Sequence, residues 1–198
     1  SIICVSPQPT RKRLNGEYVE NITPSLSQFP QPIPYSLREN SRTSFTGTFL
    51  NGPFEIDTGT ATAWLKAPRN VAGHANCDVL KLTANGQDIL QRGERKWLLD
   101  FGTNLPEQDA ALYEAPFEYA RQHIKPYRQR KNEAGDFEVR RQNHRERWWI
   151  HAEARPGMRR ALEGLARFVV TPMVSSTRVF CFLEASYLPN QKLVVFPR

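Results

Sequence analysis

Arg140-Arg141-Gln142-Asn143-His144-Arg145-Glu146-Arg147-Trp148-Trp149-Ile150-His151-Ala152-Glu153-Ala154-Arg155-Pro156-Gly157-Met158-Arg159-Arg160 is the stretch from which the rest of the chain can be read. It starts basic and aromatic, alternates through His151, Glu153 and Arg155, and then meets Pro156. Proline suits the first turn of a helix, where its missing N–H has no partner to lose, so a short helix opens there. Met158, Ala161, Leu162 and Leu165 fall on its inner side, with Arg159 and Arg160 facing out. Phe168-Val169-Val170, Val179-Phe180-Cys181-Phe182-Leu183 and Leu193-Val194-Val195-Phe196 read as strands of one sheet, and Leu188-Pro189-Asn190 as a turn. Ser175-Ser176-Thr177-Arg178 sits between the first two strands. The implied class is α+β: a mixed, mostly antiparallel sheet of short strands with several helices.

Towards the N-terminus the same signals recur. Asn15-Gly16 between two extended runs marks a tight hairpin over 11–19. Pro24, Pro30, Pro32 and Pro34 remove too many donors for a strand or helix, which makes 23–35 an ordered loop or extended arm. A strand over 44–50 turns at Asn51-Gly52-Pro53, and Asp57 or Thr58 caps a helix ending near Ala67-Pro68. Val79 to Leu90 contains a turn at Asn85-Gly86, and Lys96 to Phe101 is a buried strand closed by Gly102. A helix starts near Pro106 with Tyr113, Phe117, Ala120 and Ile124 on one face, and Pro116 and Pro126 each end or kink it. Asn132 to Asp136 is an exposed turn.

With 198 residues, 39% hydrophobic and 24% charged, the chain has ordinary globular composition. We expect one domain over 1–198, with a small N-terminal lobe over 1–50. No apolar run nears the roughly eighteen residues that span a bilayer, so no membrane partner is expected. Both ends fall in apparent strands, the reading of a piece excised from a longer chain. Cys4, Cys77 and Cys181 are odd in number and scattered, which fits a reducing, cytoplasmic setting better than a disulfide framework or zinc ribbon. Between Arg121 and Arg160 there are twelve Lys or Arg against five Asp or Glu, and fifteen against fifteen elsewhere, so the whole net charge of +7 lies in this segment. Such a block is either a polyanion-binding face or a solvated surface.

Residues that do chemistry are harder to find. There is no Gly-rich cofactor turn, no Asn/Asp-Pro-Pro-aromatic loop, no phosphate-binding loop and no G-x-S-x-G or H-E-x-x-H pattern. His74, His123, His144 and His151 are far apart, and neither catalytic residues nor a metal site can be named. What the basic stretch does supply is the equipment of a duplex DNA reader: cations for phosphates and a few polar groups for base edges. Arg140, Arg141, Arg145, Arg147, Arg159 and Arg160 are the phosphate candidates. If 150–155 is extended, His151, Glu153 and Arg155 share one face as base readers, since Arg grips guanine with two bonds and Glu accepts from the cytosine amine. The alternative is that Glu153 and Arg155 pair with each other or cap the helix at Pro156. Ser175, Ser176, Thr177 and Arg178 form a second reading turn. Adjacent Trp148 and Trp149 fit a core anchor better than base stacking.

The wording Arg155-Pro156-x-Met158-Arg159-x-Ala161-Leu162-x-Gly164-Leu165-x-Arg167, followed by Thr171-Pro172-x-Val174-Ser175, resembles the target recognition domain of MmeI-like DNA adenine methyltransferases of type IIL restriction-modification and phage defence. Arg13-Leu14-Asn15-Gly16, Gly52-Pro53-Phe54, Asn85-Gly86-x-Asp88-Ile89, Trp97 to Gly102 and Ala110 to Glu118 extend the likeness over most of the chain. It implies a recognition module without catalytic residues of its own, binding duplex DNA beside an adenine-N6 methyltransferase domain that uses S-adenosylmethionine, with a nuclease domain in some members. Where the family commonly has Ser-Lys-His-Arg after the valine, this chain has Ser175-Ser176-Thr177-Arg178, leaving only the end residues matched. The alternative is a protein-interaction module that docks its basic face on an acidic partner, with the tryptophans as its hot spot.

Overall fold

The computed structural model describes residues 12–23, 25–27, 29, 37–71, 73–91 and 95–198. The expected strand Ile2 to Val5, Arg11 and the four prolines of the 23–35 arm lie outside the described residues. The chain divides into two units, Ser1–Arg38 and Glu39–Arg198. In the first, Asn15 and Gly16 hold φ of 52° and 90°, the left-handed pair that a two-residue hairpin turn requires. Strands β1 (Arg13–Leu14) and β2 (Glu17–Tyr18) pair antiparallel across it. Arg13 lies over the Tyr18 ring, its guanidinium 4.1 Å from the centroid, and also hydrogen-bonds the hydroxyl.

The second unit holds two four-stranded sheets. Strands β3 (Phe45–Thr46), β4 (Glu55–Ile56), β5 (Leu80–Ala84) and β6 (Lys96–Leu99) come first in the chain. After a helical middle follow β7 (Arg167–Pro172), β8 (Cys181–Glu184), β9 (Tyr187–Pro189) and β10 (Leu193–Phe196). One sheet has the order β3-β10-β7-β8 and is antiparallel throughout; the other, β4-β6-β5-β9, is antiparallel except where β9 runs parallel to β5. The class is α+β, as the pattern of short strands implied. One expectation is corrected: Leu188-Pro189 is not a turn but part of edge strand β9, its Leu188 carbonyl accepting from the Thr83 hydroxyl at 2.8 Å. A proline is tolerated there because an edge position does not need its N–H.

Thr48 and Asn190 bridge the two sheets, with Thr48 N–H donating to Pro189 and Gln191 N–H donating to Thr48. Gly47 permits that contact. A Cβ at this position would lie 2.1 Å from the Asn190 carbonyl oxygen.

The helices follow local rules more than first reading suggested. Helix α1 (Thr58–Lys66) starts where Asp57 accepts from Thr60 N–H at 2.9 Å, and hydrogen bonding from the Thr60 side chain and backbone holds the exposed carboxyl below its usual pKa. Asn85-Gly86 is no turn: it opens α2 (Gly86–Gln91), because Asn85 Oδ1 accepts from Gln87 and Asp88 while Asp88 Oδ2 accepts from Asn85 N–H. That reciprocal cap turns the chain into a helix. The helix expected from Pro106 is divided into α3 (Glu107–Ala110) and α4 (Glu114–Tyr119), the latter running through a π turn at Ala120–Ile124 into α5 (Lys125–Gln129). Pro116 causes no break because it lies in the first turn of α4, where no N–H is needed. Pro126 is absorbed by the wider turn before it, in which Lys125 N–H reaches Ala120. Helices α6 (Gln142–Glu146) and α7 (Pro156–Leu162) both begin within the basic stretch, one near each of its ends.

The core joins both sheets to that stretch. Phe54, Leu98 and Leu99 come from one sheet and its loops, Phe168, Val170, Leu193 and Val195 from the other, and Trp148, Ile150 and Met158 from the connection between them. Trp148 is fully enclosed and Trp149 donates its indole N–H to the Leu105 carbonyl at 2.9 Å, so both serve as core anchors.

Candidate functional site

Segment 139–160 is held to the scaffold chiefly by its own arginines. Arg145 donates to the carbonyls of Val139 (2.7 Å) and Arg140 (2.8 Å) and lies over the Phe137 ring. Arg147 donates to the Thr103 carbonyl at 3.2 Å and Asn104 Oδ1 at 2.9 Å. Arg155, in the left-handed region at φ 55°, donates to Gly47 and forms a 2.6 Å ion pair with Glu153. Arg159 grips Asp100 with two bonds of 2.7 and 2.9 Å and also donates to Ala154. Arg159 therefore turns inward from α7, not outward as helical spacing suggested. Only the next residue, Arg160, is exposed.

Beneath the segment lies Arg128, the last but one residue of α5. Its guanidinium is 0% exposed and donates to three carbonyls, His144 at 3.0 Å, Leu50 at 2.9 Å and Ile150 at 3.0 Å. Burial lowers its pKa to about 10, which leaves it protonated at neutral pH.

His151 departs further from its expected position. The 150–155 segment is not a strand with three residues on one face; it makes a single bridge, Glu153 to Phe49, and His151 points into the core at 4% exposure. Its Nε2 lies 2.9 Å from the Leu99 carbonyl, so that nitrogen carries the proton and donates. Phe54 packs edge-on against the ring. Burial holds the His151 pKa below its ordinary value, and His144 is lowered by burial and by the nearby Arg128 and Arg141 charges. Burial works against the Asp100 carboxylate, yet the adjoining His151, when it is protonated, the two bonds and charge of Arg159 and the Gly102 N–H keep its pKa low. The ring is packed against Phe54 and bonded to the Leu99 carbonyl, so His151 borders the first cavity from within the core and does not project from the surface.

What remains at the surface is a ridge with a cavity on each side. One, of about 330 Å³, is lined by Asn143, Arg147, Ala152, Arg155 and Pro156; the other, of about 340 Å³, by Asn51, Tyr127, Arg130, Arg140 and Arg141. His144 and Glu153 line both. Glu153 thus stands on the ridge between Arg155 and Arg141, whose guanidinium lies 3.9 Å away. The pairing of Glu153 with Arg155, one of the two sequence readings, is present, and both side chains stay about one-third exposed. Arg140 and Arg141 are exposed.

The structure brings Arg140, Arg141, Glu153 and Arg155 together, and sets Arg145, Arg147 and Arg159 into the frame beneath and beside them. Arg130, Tyr127, Asn51 and Asn143 were missed by the sequence reading. They come from loops and helix ends with no shared periodicity, so only the basic run before 140 hinted at Arg130.

The second candidate, the turn after β7, is built differently. Ser175 Oγ donates to the Thr177 carbonyl at 2.6 Å and accepts from Thr177 N–H, a local turn that leaves Ser176, Thr177 and Arg178 exposed. Val174, Phe180 and Phe182 beside it are also exposed. Among the described residues no group of three or more His, Cys, Asp or Glu side chains gathers as a metal would need, and no helix is long and apolar enough to cross a membrane.

No protein-family model and no curated protein sequence matches this chain. Among solved structures, it is similar to the type IIL restriction-modification enzyme MmeI, solved in complex with DNA, at a TM-score of 0.57 and 12% identity. The likeness covers 91% of this chain and 23% of that one, so the chain spans under a quarter of that enzyme's length. At this identity the likeness is one of fold.

Proposed function

We propose that this chain is the duplex-DNA target recognition module of a larger, S-adenosylmethionine-dependent DNA adenine-N6 methyltransferase of the restriction-modification or phage-defence kind, working in the cytoplasm. The observation that carries the reading is the ridge: a partly exposed carboxylate–guanidinium pair, Glu153 and Arg155, set between two cavities beside the exposed cations Arg140 and Arg141. Duplex DNA needs both sets, cations for its phosphates and rigidly held polar groups for its base edges. Likeness in fold to an enzyme solved with DNA supports the same reading.

Arg140, Arg141 and Arg160 contact phosphates, and Arg178 stays with the reading turn of which it is part. Glu153 and Arg155 exchange their mutual bond for base edges, with Ser176 and Thr177 reading a neighbouring step, each good contact contributing about 1–3 kcal/mol of discrimination. The adjoining methyltransferase domain of the parent holds the cofactor and the catalytic residues, and this module presents the target adenine to it. A nuclease domain accompanies it in parents that cleave.

Selection from a randomised duplex library tests this. The wild-type chain enriches one short motif, and Glu153→Gln relaxes one position of it. Binding that enriches no motif and ignores salt between 50 and 200 mM, the range over which phosphate contacts are lost by orders of magnitude, would contradict the proposal.

A further inference from the structure

Arg128 combines two features that rarely coincide. Its guanidinium is completely enclosed, and among the described residues no carboxylate lies within ion-pair distance of it. Taking a cation out of water is costly even with a partner, so a buried guanidinium met only by carbonyl dipoles needs a structural return. Its three acceptors show what that return is. Leu50 precedes Asn51, which lines one cavity; Ile150 lines the other; His144 lines both. Leu50 also accepts from Ala152 N–H, and Phe49 exchanges both backbone bonds with Glu153. One planar side chain therefore fixes, from below, the three backbone segments that determine where Glu153 stands. The Phe54 ring, itself fully buried, packs with its centroid 5.6 Å from the guanidinium.

We propose that Arg128 is a positioning residue for sequence recognition: without touching DNA, it locks the backbone under the Glu153–Arg155 ridge so that these side chains meet base edges already ordered. The inference rests on the DNA-recognition reading. Preorganisation of this kind acts on selectivity, because base edges demand tenths of an ångström while phosphates tolerate more. Lysine keeps the charge but not the fork, and cannot hold three carbonyls in one plane. The exposed phosphate arms Arg140 and Arg141 have no bond to Arg128 and should not notice the change.

The test compares wild type and Arg128→Lys, both confirmed folded by circular dichroism at the titration temperature, on the duplex recovered by library selection and on a scrambled duplex of equal length. The expected result is a fall of about tenfold or more in the preference for the selected duplex, with scrambled-duplex affinity and its salt slope unchanged. A purely structural arginine would leave folded Arg128→Lys with the wild-type preference, and that result overturns the proposal. Should Arg128→Lys not fold, hydrogen exchange on the wild type decides. The Ile150, Ala152 and Glu153 amides are slow before DNA is added and gain little afterwards. Amides that exchange fast until DNA binds overturn the proposal. A wild type with no preference between the duplexes refutes the DNA-recognition reading itself, which separates the two failures.

Discussion

Segment 139–160 and the turn 173–178 both carry arginine and small polar residues, yet they are built on opposite plans. In the first, Arg145, Arg147, Arg155 and Arg159 are each bonded to backbone carbonyls or buried acids, and Arg128 ties the whole from beneath. In the second, one hydroxyl holds one turn and the remaining side chains lie exposed. A surface made by the first plan is set before its ligand arrives; one made by the second can change its residues at little cost to the fold. The contrast also occurs within two consecutive positions of α7, where Arg159 bonds a buried carboxylate and Arg160 faces solvent. Basic residues in a sequence are therefore of two kinds, and charge counting cannot separate them.

The largest predicted difference lies in that adjacent pair. Arg159→Ala leaves Asp100 buried without its cation and should cost about 3–5 kcal/mol in urea unfolding, whereas Arg160→Ala should stay within about 0.5 kcal/mol. Equal costs would show that the Arg159–Asp100 contact does not organise the segment.

Acid should weaken the first plan and spare the second. His151 is buried neutral with a lowered pKa, so the unfolded chain takes up its proton first as pH falls through about 6.5, and stability drops from there downward. Asp100, also lowered, contributes stability above about pH 3.9 that is lost only in stronger acid, as pH falls through its folded value. Between pH 7.5 and 5.5, thermal unfolding of the wild type should shift down by an amount equivalent to roughly 1 kcal/mol, and His151→Gln should reduce that dependence, leaving the part that the less buried His144 carries. A flat wild-type profile would mean that the ring is hydrated.

The smallest effect belongs to the turn. Ser175→Ala removes the hydroxyl that closes it and should cost about 0.5–1 kcal/mol, while Ser176→Ala and Thr177→Ala leave stability unchanged and alter only the selected DNA motif. Loss of stability in the latter two would place the turn in the frame instead.

Local chemistry was legible in the sequence wherever neighbours alone decide it. Asn15-Gly16 makes its hairpin, Asp57 caps α1, Pro156 opens α7 and Phe168 to Val170 lie in β7. Asn85-Gly86 was ambiguous because the same dipeptide starts turns and helices, and Asp88 three residues on settles it. Partners distant in sequence were not legible. β9 pairs with β5 more than a hundred residues earlier, and alternation through His151, Glu153 and Arg155 was broken because the core beneath Leu99 takes up the imidazole. Arg128 carried no signal at all, since its three acceptors are backbone atoms and leave no trace in residue type.

The central claim is that the exposed arginines, with the partly exposed Arg155, touch DNA while Arg145, Arg147 and Arg159 hold the surface. Fluorescence anisotropy of duplex DNA binding across salt concentrations, with wild type, Arg140→Ala plus Arg141→Ala, and Arg145→Ala plus Arg147→Ala, tests it most directly. The account predicts that losing the exposed pair flattens the salt slope by about one to two units at unchanged stability, and that losing the bonded pair lowers the urea midpoint while folded protein keeps its slope. A slope that flattens only when Arg145 and Arg147 are removed would contradict it.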